Sequence, residues 1–395
     1  MDPSPDDAEF RDQVMQWLTQ NLTGPFAGLR GAGGPGREHE SFAERLEWSR
    51  HLAAAGWTCL GWPAVHGGRG LSLSQQMIFH EEYARADAPA RVSHIGEELL
   101  GPTMIAFGTD EQQRRFLPKI LAVDELWCQG FSEPGAGSDL ASASTTARLA
   151  DGQWVLNGQK TWTSLAHVAD WCFVLARTEP ASRRSAGLSL LLVPMRRGGV
   201  TVRPIRQLTG TSEFNEVYFD DAQTEAGLVL GAAGDGWRVA RFLLGVERGA
   251  ATFGQQIGFR RELDNLIAHA RKTGAAADPV LRDKIVRARI GLEAMRAYAL
   301  STVGRRADDG DGAPASMLKL AWAGWHRGLG ELAMEVGGAA SMVAQGEPDG
   351  ATQELDSWQR LFLFSRADTI YGGSDEIQRG IIAEQALGLP RQARP

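Results

Sequence analysis

Apolar positions recur with a helical period over residues 6–21, where Phe10, Val14, Trp17 and Leu18 fall on one face and Asp6 and Asp7 stand at the cap. This spacing predicts an amphipathic first helix. A glycine-rich loop, GPFAGLRGAGGPGREHE, follows, and helical stretches resume from residue 41 to about 116, interrupted by GWPAVHGGRG at residues 61–70. After Trp127 the pattern becomes that of strands: QWVLNGQKTWTS, WCFVLAR, LSLLLVP, VTVRPI and NEVYFD are short and rich in β-branched and aromatic residues. Asn157-Gly158 can supply a φ > 0 turn, which predicts a hairpin between the runs 154–156 and 160–162. From about residue 236 helical patterns return over 236–272, 278–307, 315–342, 351–369 and 373–387, with GDGAP and GEPDGAT as interhelix loops. The order is helical, β, helical, which predicts an α+β fold with segments 1–125, 126–235 and 236–395.

A chain of 395 residues, 43% hydrophobic and 23% charged, is long enough for two or three domains with a large core. The net charge of −7, with Lys and Arg scattered, gives no footprint for nucleic acid. Cys59, Cys128 and Cys172 are far apart and outside any C-x-x-C spacing, so they read as packing thiols in a reducing compartment, not a disulfide framework or zinc site. The acidic start MDPSPDDAEFRD lacks the basic and then apolar pattern of a secretory signal, and no run approaches a membrane span. A cytoplasmic location is expected.

Three glycine-rich stretches invite a phosphate-binding reading. GAGGPG at 31–36 follows no strand and reads as a loop, and NGQKTW lacks the glycine spacing of a P-loop. QGFSEPGAGSDL at 129–140 differs: Pro134, Gly135 and Gly137 hold an extended loop whose backbone N–H groups can face a ligand. GFS and TWTS bracket the adjoining strands and could line a planar ring. Near the C-terminus, TIYGGSDEIQRGIIAEQALGLP sets a glycine pair between a tyrosine and a helix start at Ser374, Asp375 and Glu376.

Together these stretches resemble the acyl-CoA dehydrogenase family over nearly the full chain. The landmarks GWPAVHGGRG, FSEPGAGSDL, NGQKTWTS, LTGTSEFNEVYFDDA, ERGAA and IYGGSDEIQRGIIAEQALGLP stand in that family's order. The resemblance implies a helical N-terminal domain, a middle antiparallel β domain and a C-terminal four-helix bundle, with FAD held non-covalently between the last two. It places Gln129, Phe131, Ser132 and Gly137 along the flavin, backs the ring with Trp162, Thr163 and Ser164, and sets Ser138 against the CoA moiety. Ser374 and Glu376 would contact FAD, and Arg271 of ARKTG would reach a neighbouring subunit's FAD in a tetramer. Gly274 follows that run where the family usually has phenylalanine, and Glu335-Val336-Gly337-Gly338 stands for the usual Gln-x-x-Gly-Gly.

In many members the motif tyrosine precedes the glutamate that abstracts the α-proton, whereas Tyr371 here precedes Gly372. A glycine takes no proton. Glu247 in LLGVERGAATFG stands where isovaleryl- and long-chain-type branches carry the base, and Arg248 would position base and substrate. The Gly372 N–H, beside Gly373, would bond the thioester carbonyl. The resemblance then implies oxidation of an acyl-CoA to the trans-2-enoyl-CoA, electrons passing to an electron-transfer flavoprotein, and room for branched, cyclic or steroid acyl groups. Two alternatives remain open: a half-competent subunit of a hetero-oligomer, and an oxygen-using acyl-CoA oxidase.

Overall fold

The computed structural model describes residues 5–246, 251–302, 313–344 and 355–390. The chain forms two compact units. Met1–Gln16, Leu73–Ala86 and Ala250–Pro395 make one, and Trp17–Ser72 and Asp87–Gly249 the other. These units cut across the three segments read from the sequence.

The first half of the chain contributes α1 (Pro5–Asn21), α2 (Phe42–Ala54), α3 (Leu73–Arg85), α4 (Gly101–Phe107) and α5 (Asp110–Leu121). A reciprocal cap between Thr109 and Gln112 starts α5. In α1 the anticipated face is real: Phe10, Val14 and Leu18 are buried.

Among the described residues the second unit holds an eight-stranded sheet. Its strands are β1 (Trp127–Gly130), β2 (Thr146–Ala150), β3 (Gln153–Ser164), β4 (Trp171–Arg177), β5 (Leu188–Pro194), β6 (Val200–Ile205), β7 (Phe214–Glu225) and β8 (Val229–Leu230). They run in the order β6-β7-β3-β2-β4-β5-β8, antiparallel except that β1 joins β4 in parallel and β2 touches β4 through a parallel pair, Thr146 and Arg177. The unbroken apolar runs of β4 and β5 have a cause: both faces are covered. Phe173, Leu175, Leu188, Leu190 and Leu192 point into one core with α4, α5 and α6 (Gly236–Val246), while Cys172, Val174, Leu191 and Val193 fill a second with Val217 and Phe219. All three cysteines are buried and unpaired.

One local expectation fails. Asn157-Gly158 is no hairpin turn; β3 runs straight through it, opposite a bulge in β7. The Asn157 side chain bonds Asp221, which has φ 51°, and Gly158 is there because a Cβ would lie 2.5 Å from Thr145 Oγ1. The hairpin turn lies earlier, at Asp151-Gly152, both at positive φ between the paired Ala150 and Gln153.

The helical unit contains α7 (Ala251–Thr273), α8 (Pro279–Thr302), α9 (Ala313–Gly337), α10 (Ser357–Phe364) and α11 (Asp375–Ile381). Phe259, Leu263 and Leu266 of α7 pack with Leu292 and Met295 of α8 and Trp322, Leu329 and Val336 of α9. Asp356 caps α10, so the helix expected over 351–369 starts at Ser357 as described; residues 351–354 lie outside the described set. Residues 247–250, inside the run expected over 236–272, also lie outside it, as do 303–312. α3 lies on α7: Arg261 donates to the Ala84 carbonyl, and Arg296 and Arg11 pair with Glu81 and Glu82.

In the second unit, a Cβ at Gly101 would lie 1.8 Å from Trp62 Cζ2, and the Trp62 indole is tied to the Glu97 carbonyl at 3.1 Å. Gly101→Ala is therefore expected to destabilise the chain by about 1–3 kcal/mol through overpacking, read as a lowered urea midpoint.

Candidate active site

The parallel pairing of β1 with β4 delivers residues 129–138 to the end of the sheet. Gly130 permits it, since a Cβ there would sit 2.9 Å from Cys172 Sγ. Phe131 is buried edge-on to Phe173, Gln129 and Ser132 are half-buried, and Gly137 and Ser138 are exposed. The loop doubles back across Pro134-Gly135, with Glu133 and Ala136 exchanging backbone hydrogen bonds of 3.2 and 3.0 Å.

What holds this loop is a buried ion pair. Lys160, wholly buried on β3, donates to Glu133 Oε1 at 2.7 Å and to the Phe131 carbonyl at 3.0 Å. Glu133 also accepts from the Thr145 N–H and from the N–H and hydroxyl of Ser144, at 2.9, 2.7 and 2.7 Å. Burial alone would push the Glu133 carboxyl up, but Lys160 and these donors outweigh it and bring its pKa to about 2. Burial pulls the Lys160 ammonium down, and Glu133 only partly offsets that. Sequence reasoning missed this pair. The signal was a lysine within the strand run QWVLNGQKTWTS and a glutamate amid SEPGAGSD.

Trp162 sits in a second bulge, where β3 carries one extra residue between Lys160 and Thr163 opposite Val217 and Asn215. Its φ is +60°, rare for an aromatic residue, and its side chain is 59% exposed, edge-on to Phe214. Next to it Thr163 is fully buried, yet its hydroxyl has no hydrogen-bond partner; Ser164 is half-buried. A strained, exposed indole beside an orphaned hydroxyl fits a site that takes a planar polar ring, as isoalloxazine is.

In the helical unit Gly372 and Gly373 adopt φ +62° and +85°, and Gln378 Nε2 donates to both carbonyls at 2.9 and 3.2 Å. A Cβ at Gly373 would strike Gln378 Nε2 at 2.6 Å, whereas at Gly372 the nearest atom is Lys319 Cε at 3.9 Å. Space is open at Gly372; the backbone conformation is what favours glycine there. Ser374 caps α11 and Glu376 is exposed, its carboxyl lowered by its own backbone N–H and the Ser374 hydroxyl. Arg271 is exposed in the last turn of α7, which Gly274 ends at φ +83°, and Glu335 is paired with Lys284 at 2.6 Å. Glu247 and Arg248 lie outside the described residues.

Family models for the acyl-CoA dehydrogenase N-terminal, middle and C-terminal domains match residues 4–124, 128–222 and 234–387. The chain belongs to the acyl-CoA dehydrogenase family. It is thus an oxidoreductase acting on CH–CH bonds. This acyl-CoA dehydrogenase is 64% identical to acyl-CoA dehydrogenase IpdE1 of Mycobacterium tuberculosis over 98% of each chain. Among solved structures it resembles one titled Tcur3481-Tcur3483 steroid ACAD, with TM-score 0.83 and 28% identity over 99% of this chain and 100% of that one. It also resembles the ChsE4-ChsE5 complex of Mycobacterium tuberculosis, with TM-score 0.78 and 29% identity over 99% and 100%. No helix among the described residues is long and apolar enough to cross a membrane.

Lys160→Met leaves a buried carboxylate unpaired and is expected to cost about 3–5 kcal/mol in urea unfolding, part of which Lys160→Met with Glu133→Leu restores. The Glu133 pKa is lowered, so its stabilisation is full above the ordinary value of 4.5 and fades as pH falls towards about 2. Over that window the wild-type midpoint should fall more steeply than that of the double variant.

Proposed function

We propose that this chain oxidises a bulky, ring-bearing acyl-CoA to its trans-2-enoyl-CoA, with Glu247 as base and FAD as cofactor. The observation that carries the reading is Gly372: the turn after Tyr371 has no carboxylate and open space where a side chain would stand. The steroid title of a full-length structural relative supports the ring-bearing substrate.

Gln129, Phe131, Ser132, Gly137, Trp162, Thr163, Ser164, Ser374, Glu376 and Arg271 would hold FAD, and the orphaned Thr163 hydroxyl is a donor of the kind it needs. When bound, FAD supplies the acceptor for the hydride that leaves the β-carbon. Glu247 takes the α-proton and Arg248 holds base and thioester in register. The Gly372 N–H, with Gly373 behind it, donates to the thioester carbonyl as negative charge builds on its oxygen; one such donor is worth about 2.7–4 kcal/mol of barrier. Ser138 contacts the CoA portion. An electron-transfer flavoprotein takes the electrons onward, and the working form is a tetramer in the cytoplasm.

A second reading, one of two unlike subunits, is favoured by the paired names in the titles of both structural relatives. The visible spectrum of the chain purified alone separates the two. Near-stoichiometric FAD supports a self-sufficient enzyme, and a colourless protein supports a required partner chain.

Glu247→Gln is expected to retain FAD while flavin bleaching by a ring-bearing acyl-CoA falls at least about 100-fold, the usual worth of a general base. Near-normal bleaching in that variant rules out Glu247 as the base. Faster bleaching by straight-chain than by ring-bearing thioesters rules out the substrate class.

A further inference from the structure

The glycine pair has no side chains of its own to hold it at positive φ, so neighbours must do so. Gln378 takes the carbonyls on one side. On the other side stands Tyr371, whose hydroxyl donates to Asp368 Oδ1 at 2.6 Å. Asp368 is 1% exposed, and its other oxygen, Oδ2, lies 2.6 Å from His326 Nδ1. His326 Nε2 lies in turn 3.0 Å from Glu262 Oε2 of α7. The imidazole lies against Phe259, with ring centroids 4.5 Å apart and planes tilted by 32°, and cannot swing away without opening the bundle core.

We propose that His326 is a positioning residue for the Gly372-Gly373 turn, acting through Asp368 and the Tyr371 hydroxyl. The inference rests on the reading that this turn receives the thioester carbonyl. A network that merely joined α7 to α9 would need only Glu262 and His326. Instead two of its four members lie within the four residues that precede Gly372.

A ring facing a carboxylate at each nitrogen satisfies both only when doubly protonated. Burial would push the imidazole down, but its bonds to Asp368 and Glu262 hold its pKa up at about 9. Around it stand Glu262 from α7, Asp368 and Tyr371 from the C-terminal turn, and Lys319 of its own helix, whose ammonium donates to the Asp368 carbonyl. Above about pH 9 the neutral ring keeps one donor for two carboxylates, and the grip on Asp368 weakens.

The test uses the full-length, FAD-loaded protein as wild type, His326→Gln and Tyr371→Phe. Amide hydrogen exchange is followed over residues 366–378 and over α7 and α9. Both variants should exchange up to roughly tenfold faster across 369–376, the equivalent of one lost hydrogen bond, and Tyr371→Phe should leave α7 and α9 unchanged. Flavin bleaching should fall above about pH 9 in wild type and lose that dependence in Tyr371→Phe, where the link is cut. Unchanged exchange at the turn in Tyr371→Phe overturns the proposal, and so does loss confined to α7 and α9 in His326→Gln. Should His326→Gln fail to fold, Tyr371→Phe decides alone. A wild type that no acyl-CoA bleaches defeats the functional reading, and the exchange result still judges the positioning.

Discussion

An ammonium group inside a β-sheet persists only beside a fixed negative charge, and for Lys160 that charge is Glu133. The pair does more than neutralise itself. Glu133 gathers the Ser144 and Thr145 amides while Lys160 reaches the Phe131 carbonyl, so the loop after β1, the approach to β2 and the bulged strand β3 are fastened at one point. Ser132 is set beside β3 next to that fastening, its carbonyl accepting from the Thr161 N–H at 2.9 Å.

The helical unit solves a similar problem in a similar way. The Gly372-Gly373 turn is flanked by buried polar groups, Gln378 on one side and Asp368 with His326 behind Tyr371 on the other. His326, Asp368 and Tyr371 have there the place that Lys160 and Glu133 have in the sheet. In both units a buried charged pair lies behind a glycine-bearing turn.

The fold was largely legible because its elements have strong periods: the strand runs of β4 and β5 and the spacing of Phe10, Val14 and Leu18 leave few alternatives. Asn157-Gly158 misled because the same dipeptide suits a bulge and a hairpin turn; only the partner strand's extra residue at Asp221 decides between them. Asp151-Gly152 carried the equivalent signal six residues sooner. Of the candidate site, the glycine loops and Trp162 could be found from sequence because their composition is unusual locally. Lys160 with Glu133, and His326 with Asp368, could not: the partners lie 27 and 42 residues apart, and each looks ordinary in its own element.

The division of the chain into two units bears on how it is made. Because Leu73–Ala86 belongs with the C-terminal helices, Glu81 must wait for Arg296, 215 positions later. At ordinary rates of synthesis that interval is on the order of 10–40 s. The sheet-bearing unit can close as soon as α6 leaves the ribosome, whereas α3 then still lacks the C-terminal helices it packs with. Met77, buried with Ala299 and Leu318 in the folded chain, stays uncovered until those residues are made.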